Sequence, residues 1–480
     1  MQANDFKVQL EPLAALCKRR GFIFQGSEIY GGFNGFWDFG PMGCELKRNI
    51  REAWWQATVQ RRDDVVGVDA AIIMHPRVWE ASGHVGGFAD PMVDCRACRK
   101  RYRADQMCED LGLTLITEPG AKAPKLPAGA HCPACGSKDL TEPRAFNLMF
   151  KTIVGPVEDE SATAYLRPET AQGIFVNFNN VVDTSRVKVP FGIAQIGKAF
   201  RNEINPRNYI FRSREFEQME LEFFIPPGED ERWHAYWVEE RMGWYQAIGL
   251  PEGRLHRLVY PKEELAHYAS ACVDVLYDFP FGTQELEGIA ARGNFDLSRH
   301  QEVSGKSLEY FNPETQERFL PHVVEPSAGV DRIALAVLCE AYREEWIPKG
   351  EGSGGPRTAE AGAPVPDGCE ARTVLRFAPC LAPVKAAVFP LLKNKPELVE
   401  RARRIHAALR RRWTVFYDQT GAIGRRYRRQ DEIGTPFGIT VDFQTLDDGT
   451  VTLRDRDSMT QVRVPEEELA GRIAAAVDLP

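Results

Sequence analysis

The chain has 480 residues, of which 43% are hydrophobic and 27% charged, with a formal net charge of −8. That is the composition of a globular protein of roughly two to four domains, and it excludes the disordered, collagenous and membrane-embedded classes. No stretch approaches the roughly 18 apolar residues of a membrane span and MQANDFKVQLEP is no signal peptide, so the expectation is a cytoplasmic protein whose 11 cysteines are reduced thiols or metal ligands.

Along the chain, Gly40-Pro41 opens an amphipathic helix, and a strand is expected to end at Pro76. Residues 95–142, rich in Cys, Lys, Pro and Gly, read as an insertion. They contain Cys95-x2-Cys98 and Cys132-x2-Cys135, a spacing that suits four thiolates around a structural zinc and leaves no open coordination position for catalysis. His131 and Cys108 are possible substitutes. In Arg167-Pro168-Glu169-Thr170, a proline at a helix start with Glu169 in its first turn is ordinary capping.

Two long amphipathic strands follow, around Phe191–Glu203 and Arg214–Ile225, joined by a short polar loop that favours an antiparallel sheet. Period-two alternation puts Phe216, Gln218, Glu220 and Glu222 on one face of the second strand. An exposed face laced with ion pairs is the plain alternative. Arg201, Arg207, Arg212 and Arg214 around one loop favour bidentate phosphate recognition instead.

The phosphate must be held by side chains if a nucleotide binds at all. Gly305-Lys306-Ser307 lacks the upstream glycine of a P-loop, because His300 stands there, and no G-x-G-x-x-G opens a helix after a strand. Further along, Gly329 opens an almost wholly apolar helix with Asp331 and Arg332 in its first turn. Either these neighbours form an internal ion pair or Arg332 is directed at a ligand.

Residues 349–371 crowd Gly, Pro and Ala together and read as a flexible linker. After it, residues 372–480 alternate strands and helices, with a hairpin expected at Asp448-Gly449. From Arg372 onward, 19 Lys and Arg stand against 14 Asp and Glu, so the basic surplus lies at this end. That asymmetry is compatible with a nucleic-acid contact or with a solvated surface.

The phrases FRNE…REF and Gly329-Val330-Asp331-Arg332 resemble motifs 2 and 3 of class II aminoacyl-tRNA synthetases. Together with FGPMGCELKRNIREAWW, YLRPETAQGIF, EFEQMELEFF, ELEGIAARGNFDL, EPSAGVDR and RYRRQDEIGTPFGITVDF they resemble the homodimeric, single-chain glycyl-tRNA synthetases over nearly the whole chain. The resemblance implies an α+β fold: an antiparallel sheet flanked by helices, with a Cys-rich insertion and a C-terminal α/β anticodon-binding domain. It divides the chain into 1–94 with motif 1, the insertion 95–142, a core with motifs 2 and 3 at 143–348, the linker 349–371 and the anticodon-binding domain 372–480.

The activity implied is ATP- and Mg2+-dependent attachment of glycine to tRNA-Gly. Carried over residue by residue, Arg201 binds the α-phosphate, Phe216 stacks on adenine, and Arg332 covers the other adenine face. Glu203 reads the adenine amino group, Arg212 approaches the terminal phosphates, and Glu285 helps to hold magnesium. Asn202, Phe211, Arg214, Leu286, Gly329 and Asp331 complete the ATP side. Glu169, Phe216, Gln218, Glu220, Glu325, Ser327 and Gly329, with Arg103, make up the glycine side. Arg425, Arg428 and Arg429 are candidates for RNA. The partners implied are glycine, tRNA and a second copy of the chain, with neither membrane nor DNA. A synthetase-like accessory subunit of a mitochondrial DNA polymerase, the rival of another class, should lack part of this constellation; RPETAQG and EPSAG favour glycine over proline, histidine or threonine.

Overall fold

The computed structural model describes residues 9–117, 123–157, 159–266, 269–350, 355–359 and 363–478. A seven-stranded sheet organises the larger part. In chain order its strands are β1 (Val65–Gly67), β2 (Phe191–Phe200), β3 (Glu215–Ile225), β4 (Leu255–Val259), β5 (Ala271–Phe279), β6 (Gly282–Gly293) and β7 (His322–Gly329). Their spatial order is β4-β5-β6-β7-β3-β2-β1, antiparallel throughout except for the parallel edge pair β1 and β2.

The alternation in β3 places the core. Met219, Leu221, Phe223 and Ile225 point to one face, where they pack with helices α1 (Pro41–Trp55), α2 (Asp230–Ala247) and α4 (Val330–Ala341). Gln218, Glu220 and Glu222 point to the other face. Helix α3 (Phe295–Ser304) lies there, and Phe175, Phe178, Phe191 and Phe224 seal the sheet beyond the polar residues. One side of the sheet is therefore core and the other carries charge.

Several local expectations change. Pro76 opens the helix Pro76–Ala81 instead of ending a strand; the strand before it is the short β1. The helix after Pro168 begins only at Ala171, which leaves Glu169 outside its first turn. Asp448-Gly449 is no hairpin: Asp448 ends the helix Phe443–Asp448, with Gly449 at its cap, and the hairpin turns later, between Asp455 and Gln461.

The stretch read as a flexible linker also contains structure. Arg357–Thr358 and β9 (Cys369–Leu375) flank β8 (Tyr342–Pro348) in a three-stranded sheet. A Gly- and Pro-rich composition hides such pairing because its partner lies elsewhere in the sequence. Beyond it, β10 (Ala386–Pro390), α5 (Pro396–Leu409), β11 (Val415–Tyr417), α6 (Ile423–Ile433), β12 (Phe437–Val441), β13 (Thr450–Asp455), β14 (Gln461–Pro465) and α7 (Leu469–Val477) form an α/β unit with its own core. Its sheet runs β11-β10-β12-β13-β14. No described helix is long and apolar enough to cross a membrane.

Candidate active site

The charged face of the sheet opens into a cavity of about 290 Å³, lined by β3, β5, β6 and β7, the loop after β2 and the first turn of α4. At one end lie arginines and aromatic rings. Arg201 leaves the end of β2, donates from Nε to the Pro168 carbonyl at 3.0 Å, and holds its guanidinium 5.3 Å from the Phe216 ring centroid. Arg332 stands opposite, 4.4 Å from the Phe211 ring centroid and 3.1 Å from the Glu285 carboxylate. Arg212 pairs with Glu203 at 3.0 Å on the loop.

Asp331 and Arg332 do not pair with each other. Asp331 accepts from Lys47 of α1 at 2.7 Å and from the Glu217 backbone N–H at 2.8 Å, and Lys47 also reaches Glu217 at 3.1 Å. This buried knot ties α1, β3 and α4 together and frees Arg332 to face the cavity.

The other end is acidic and buried. Glu220 and Glu325 reach it from adjacent strands, and Thr170 donates a hydrogen bond to Glu220. Ser327 receives a bond from Gln218 at 3.3 Å. Arg292 of β6 pairs with both Glu325 and Asp296 at 2.7 Å. Glu169 lies 3.2 Å from the His84 ring and accepts from Gln172 at 3.0 Å.

Burial decides the protonation of this end. It pushes Glu325 up to about 8; Arg292 opposes that, while the charges of Glu220 and Glu169 add to it. Glu220 is raised by burial and by the charge of Glu169. At Glu169 burial acts in the same direction, but the His84 beside it prevails and holds the carboxyl well below the usual range. Near the mouth, burial and the neighbouring Glu285 raise Asp274 to about 6.

A buried acidic recess joined to a rim of arginines and rings is what a small ammonium compound and a nucleotide would need, and comparison with known proteins narrows this further. Residues 150–342 match the family model described as tRNA synthetase class II core domain (G, H, P, S and T), and residues 385–476 match that described as anticodon binding domain. The chain is 51% identical to the glycine–tRNA ligase of Thermobifida fusca, over 97% of this chain and 98% of that one. It is 49% identical to the glycine–tRNA ligase of Treponema denticola, over 99% and 98% of the two chains, and 51% identical to that of Thermus thermophilus, over 96% and 97%.

The chain belongs to the glycine–tRNA ligase family. In this member of the family, most of the residues expected from the sequence do meet: Glu169, Arg201, Glu203, Phe211, Arg212, Phe216, Gln218, Glu220, Glu285, Leu286, Glu325, Ser327, Gly329, Asp331 and Arg332 line the cavity. Three stand outside that lining. Arg214 is spent on the Glu203 and Asn34 carbonyls, Arg103 is paired with Asp90 and Asp105, and Asn202 donates its backbone N–H to the Leu148 carbonyl.

Arg292, Asp274, Glu217 and Cys272 also line the cavity, beyond the residues that the sequence motifs single out. A signal for Arg292 existed: a guanidinium closing the apolar run Ile289-Ala290-Ala291, with Asp296 four residues on. His84 and Lys47 had none, since their partners lie far along the chain.

In the insertion, Cys95, Cys98, Cys132 and Cys135 converge with their sulfurs within 4.8 Å of one another. Cys95 to Cys135 and Cys98 to Cys132 are each 3.6 Å apart. Sulfurs around a tetrahedral zinc lie about 3.8 Å apart, so the four thiols fit that ion. Cys108 is not in the set, and His131 Nδ1 is engaged with the Gly129 carbonyl. On α6, Arg428 pairs with Glu370 and Asp431, and Arg429 pairs with Asp418, while Arg425 is exposed.

Proposed function

We propose that this cavity activates glycine with ATP and that the chain then transfers the glycyl group to the 3′ end of tRNA-Gly. The observation that carries the reading is the polarity of the cavity: carboxyls from three segments at one end, those of Glu220 and Glu325 buried, and Arg201, Arg212, Arg332 and aromatic rings at the other. Glu169, Glu220 and Glu325 face the glycine ammonium, and Ser327 and Ala290 bound the space a larger side chain would need. Phe216 and Arg332 enclose the adenine, and Arg201 meets the α-phosphate.

The glycine carboxylate attacks the α-phosphorus, a new P–O bond forms and pyrophosphate leaves. The terminal ribose hydroxyl of tRNA then attacks the glycyl carbonyl and AMP leaves. Neither step needs a protein nucleophile. Positioning and neutralisation of growing phosphate charge suffice, which is what arginines held at fixed sites supply. Class II synthetases use ATP with magnesium, which adds further neutralisation of the phosphates; Glu285, at the cavity mouth beside Asp274, is the residue here that would hold it.

The same reading keeps the division of the chain into a catalytic unit (1–94 and 143–348), a zinc-binding insertion at 95–142 and a tRNA-reading unit at 372–480, joined through 349–371. It also takes the protein to be a cytoplasmic homodimer. Support for the second copy is the exposed apolar turn Glu28–Tyr30, where Ile29 is 89% and Tyr30 87% exposed. The reading is tested by Arg201→Ala and Arg332→Ala, each expected to abolish glycine-dependent pyrophosphate exchange in protein that still melts normally. Near-normal exchange in either variant would remove the phosphate assignment.

A further inference from the structure

Behind the glycine end of the cavity sits an acid that no step above uses. Glu222 is two residues beyond Glu220 on the same face of β3, fully buried, and neither carboxyl oxygen has a hydrogen-bond partner among the described residues. Carboxyl oxygens of Glu220, Glu222 and Glu325 all lie within 4.8 Å of one another. Thr170 donates to Glu220, and Arg292 donates to Glu325. Glu222 receives neither.

The charged groups facing Glu222 are Glu325 on β7, Arg292 on β6, Asp296 on α3 and Glu220 on its own strand. Arg292 is committed to Asp296 and Glu325, so positive charge is scarce. Three carboxylates this close, out of water, do not all ionise. A buried carboxylate without a donor is the costliest of the three, whereas a protonated carboxyl has an O–H of its own to give.

We propose that Glu222 is the proton-keeping member of this cluster and a positioning residue for amino-acid binding: it stays neutral when glycine enters, while Glu220 and Glu325 ionise to meet the ammonium. Its O–H donates to one of those two carboxylates and fixes where that charge sits. The direction of its titration agrees, since burial and the nearby Glu325 hold it well above the usual carboxylate range. The role in binding rests on the glycine reading of the cavity; the location of the proton does not.

The test has two arms on the full chain. In the first, infrared spectra of unliganded wild type and Glu222→Gln are compared at neutral pH. Loss of a protonated-carboxyl C=O band in the variant is expected, and loss of a carboxylate band instead would overturn the proposal. In the second, Glu222→Leu, which fills the space and donates nothing, should raise the KM for glycine about tenfold with the KM for ATP unmoved. Glu222→Gln, which offers an N–H, should rescue most of that loss and leave the acid limb of the pH profile for glycine where it is in wild type. A limb displaced to lower pH would mean that Glu222 had been carrying charge, and an unaffected Leu variant would leave it without a positioning role. Should the Leu variant not fold, the spectrum and the pH profile of the Gln variant decide. Failure of the glycine reading itself shows separately, as a Glu220→Gln protein with an unchanged KM for glycine.

Discussion

Arg372 and Glu345 form a wholly buried ion pair, 2.8 Å from Nη1 to Oε2, that joins β9 to β8; Arg372 continues at 2.9 Å to Asp431 on α6. Leu375, Phe377, Leu381, Ala382 and Val384 then pack into the same core as the central sheet, and Asn49 of α1 donates to the Leu381 and Ala382 carbonyls. The change from the core of the central sheet to the core of the C-terminal unit thus falls near residue 385, inside the stretch 372–480 and not at its start.

Truncation tests this directly. A chain ending after Val384 should stay soluble and keep glycine-dependent pyrophosphate exchange while needing far more tRNA for charging. A chain cut near residue 362, which lies outside the described residues, loses β9 and leaves Glu345 buried without Arg372. Breaking such a pair costs about 3–5 kcal/mol, before the loss of five core side chains is added. That shorter chain should precipitate or melt far below the longer one, as read by thermal denaturation. Equal stability of the two would place that change back at the linker.

A second prediction concerns pH. Glu325 is raised to about 8 in the folded protein, against 4.5 for the ordinary side chain. Between those values the folded state holds a proton that the unfolded chain has released, so this group's contribution falls as pH rises across the window. Glu325→Gln removes it. The stability of wild type relative to Glu325→Gln should therefore decline from pH 5 to pH 8, on the order of a few kcal/mol. Saturating glycine should flatten the wild-type curve, because the ammonium favours the ionised form. Parallel melting curves for the two proteins over this range would count against a protonated Glu325.

The cysteine cluster makes a third. Metal analysis of freshly purified protein should find about one zinc per chain, and replacing Cys95 and Cys98 by Ser should remove it. Because the ion would be structural, the expected loss is in thermal stability of the insertion. Zinc-free protein of unaltered stability would make these four residues ordinary thiols.

What the sequence could show follows from what is local. Period-two alternation sufficed to put Phe216, Gln218 and Glu220 on one face, and the spacing of Cys95, Cys98, Cys132 and Cys135 to bring four thiols together. Arg332 was marked by its place at the head of an apolar helix. His84 beside Glu169, Lys47 beside Asp331 and Arg292 beside Glu325 depend on which strands and helices the topology makes neighbours, and no window of sequence contains both partners. The same long-range pairing explains the short strand at Arg357–Thr358 inside a stretch read as linker. Arg214 belongs to the arginine cluster by position, and in the fold its guanidinium also braces the loop through the Glu203 and Asn34 carbonyls.

Whether one cavity pairs an acidic recess for glycine with an arginine rim for ATP is read from pyrophosphate exchange measured with each of the twenty amino acids on the intact protein. Glycine should support exchange, with alanine and serine near background, because the extra methyl or hydroxymethyl meets the wall around Ser327 and Ala290. Exchange driven as well by another amino acid, or none with glycine, would contradict that pairing.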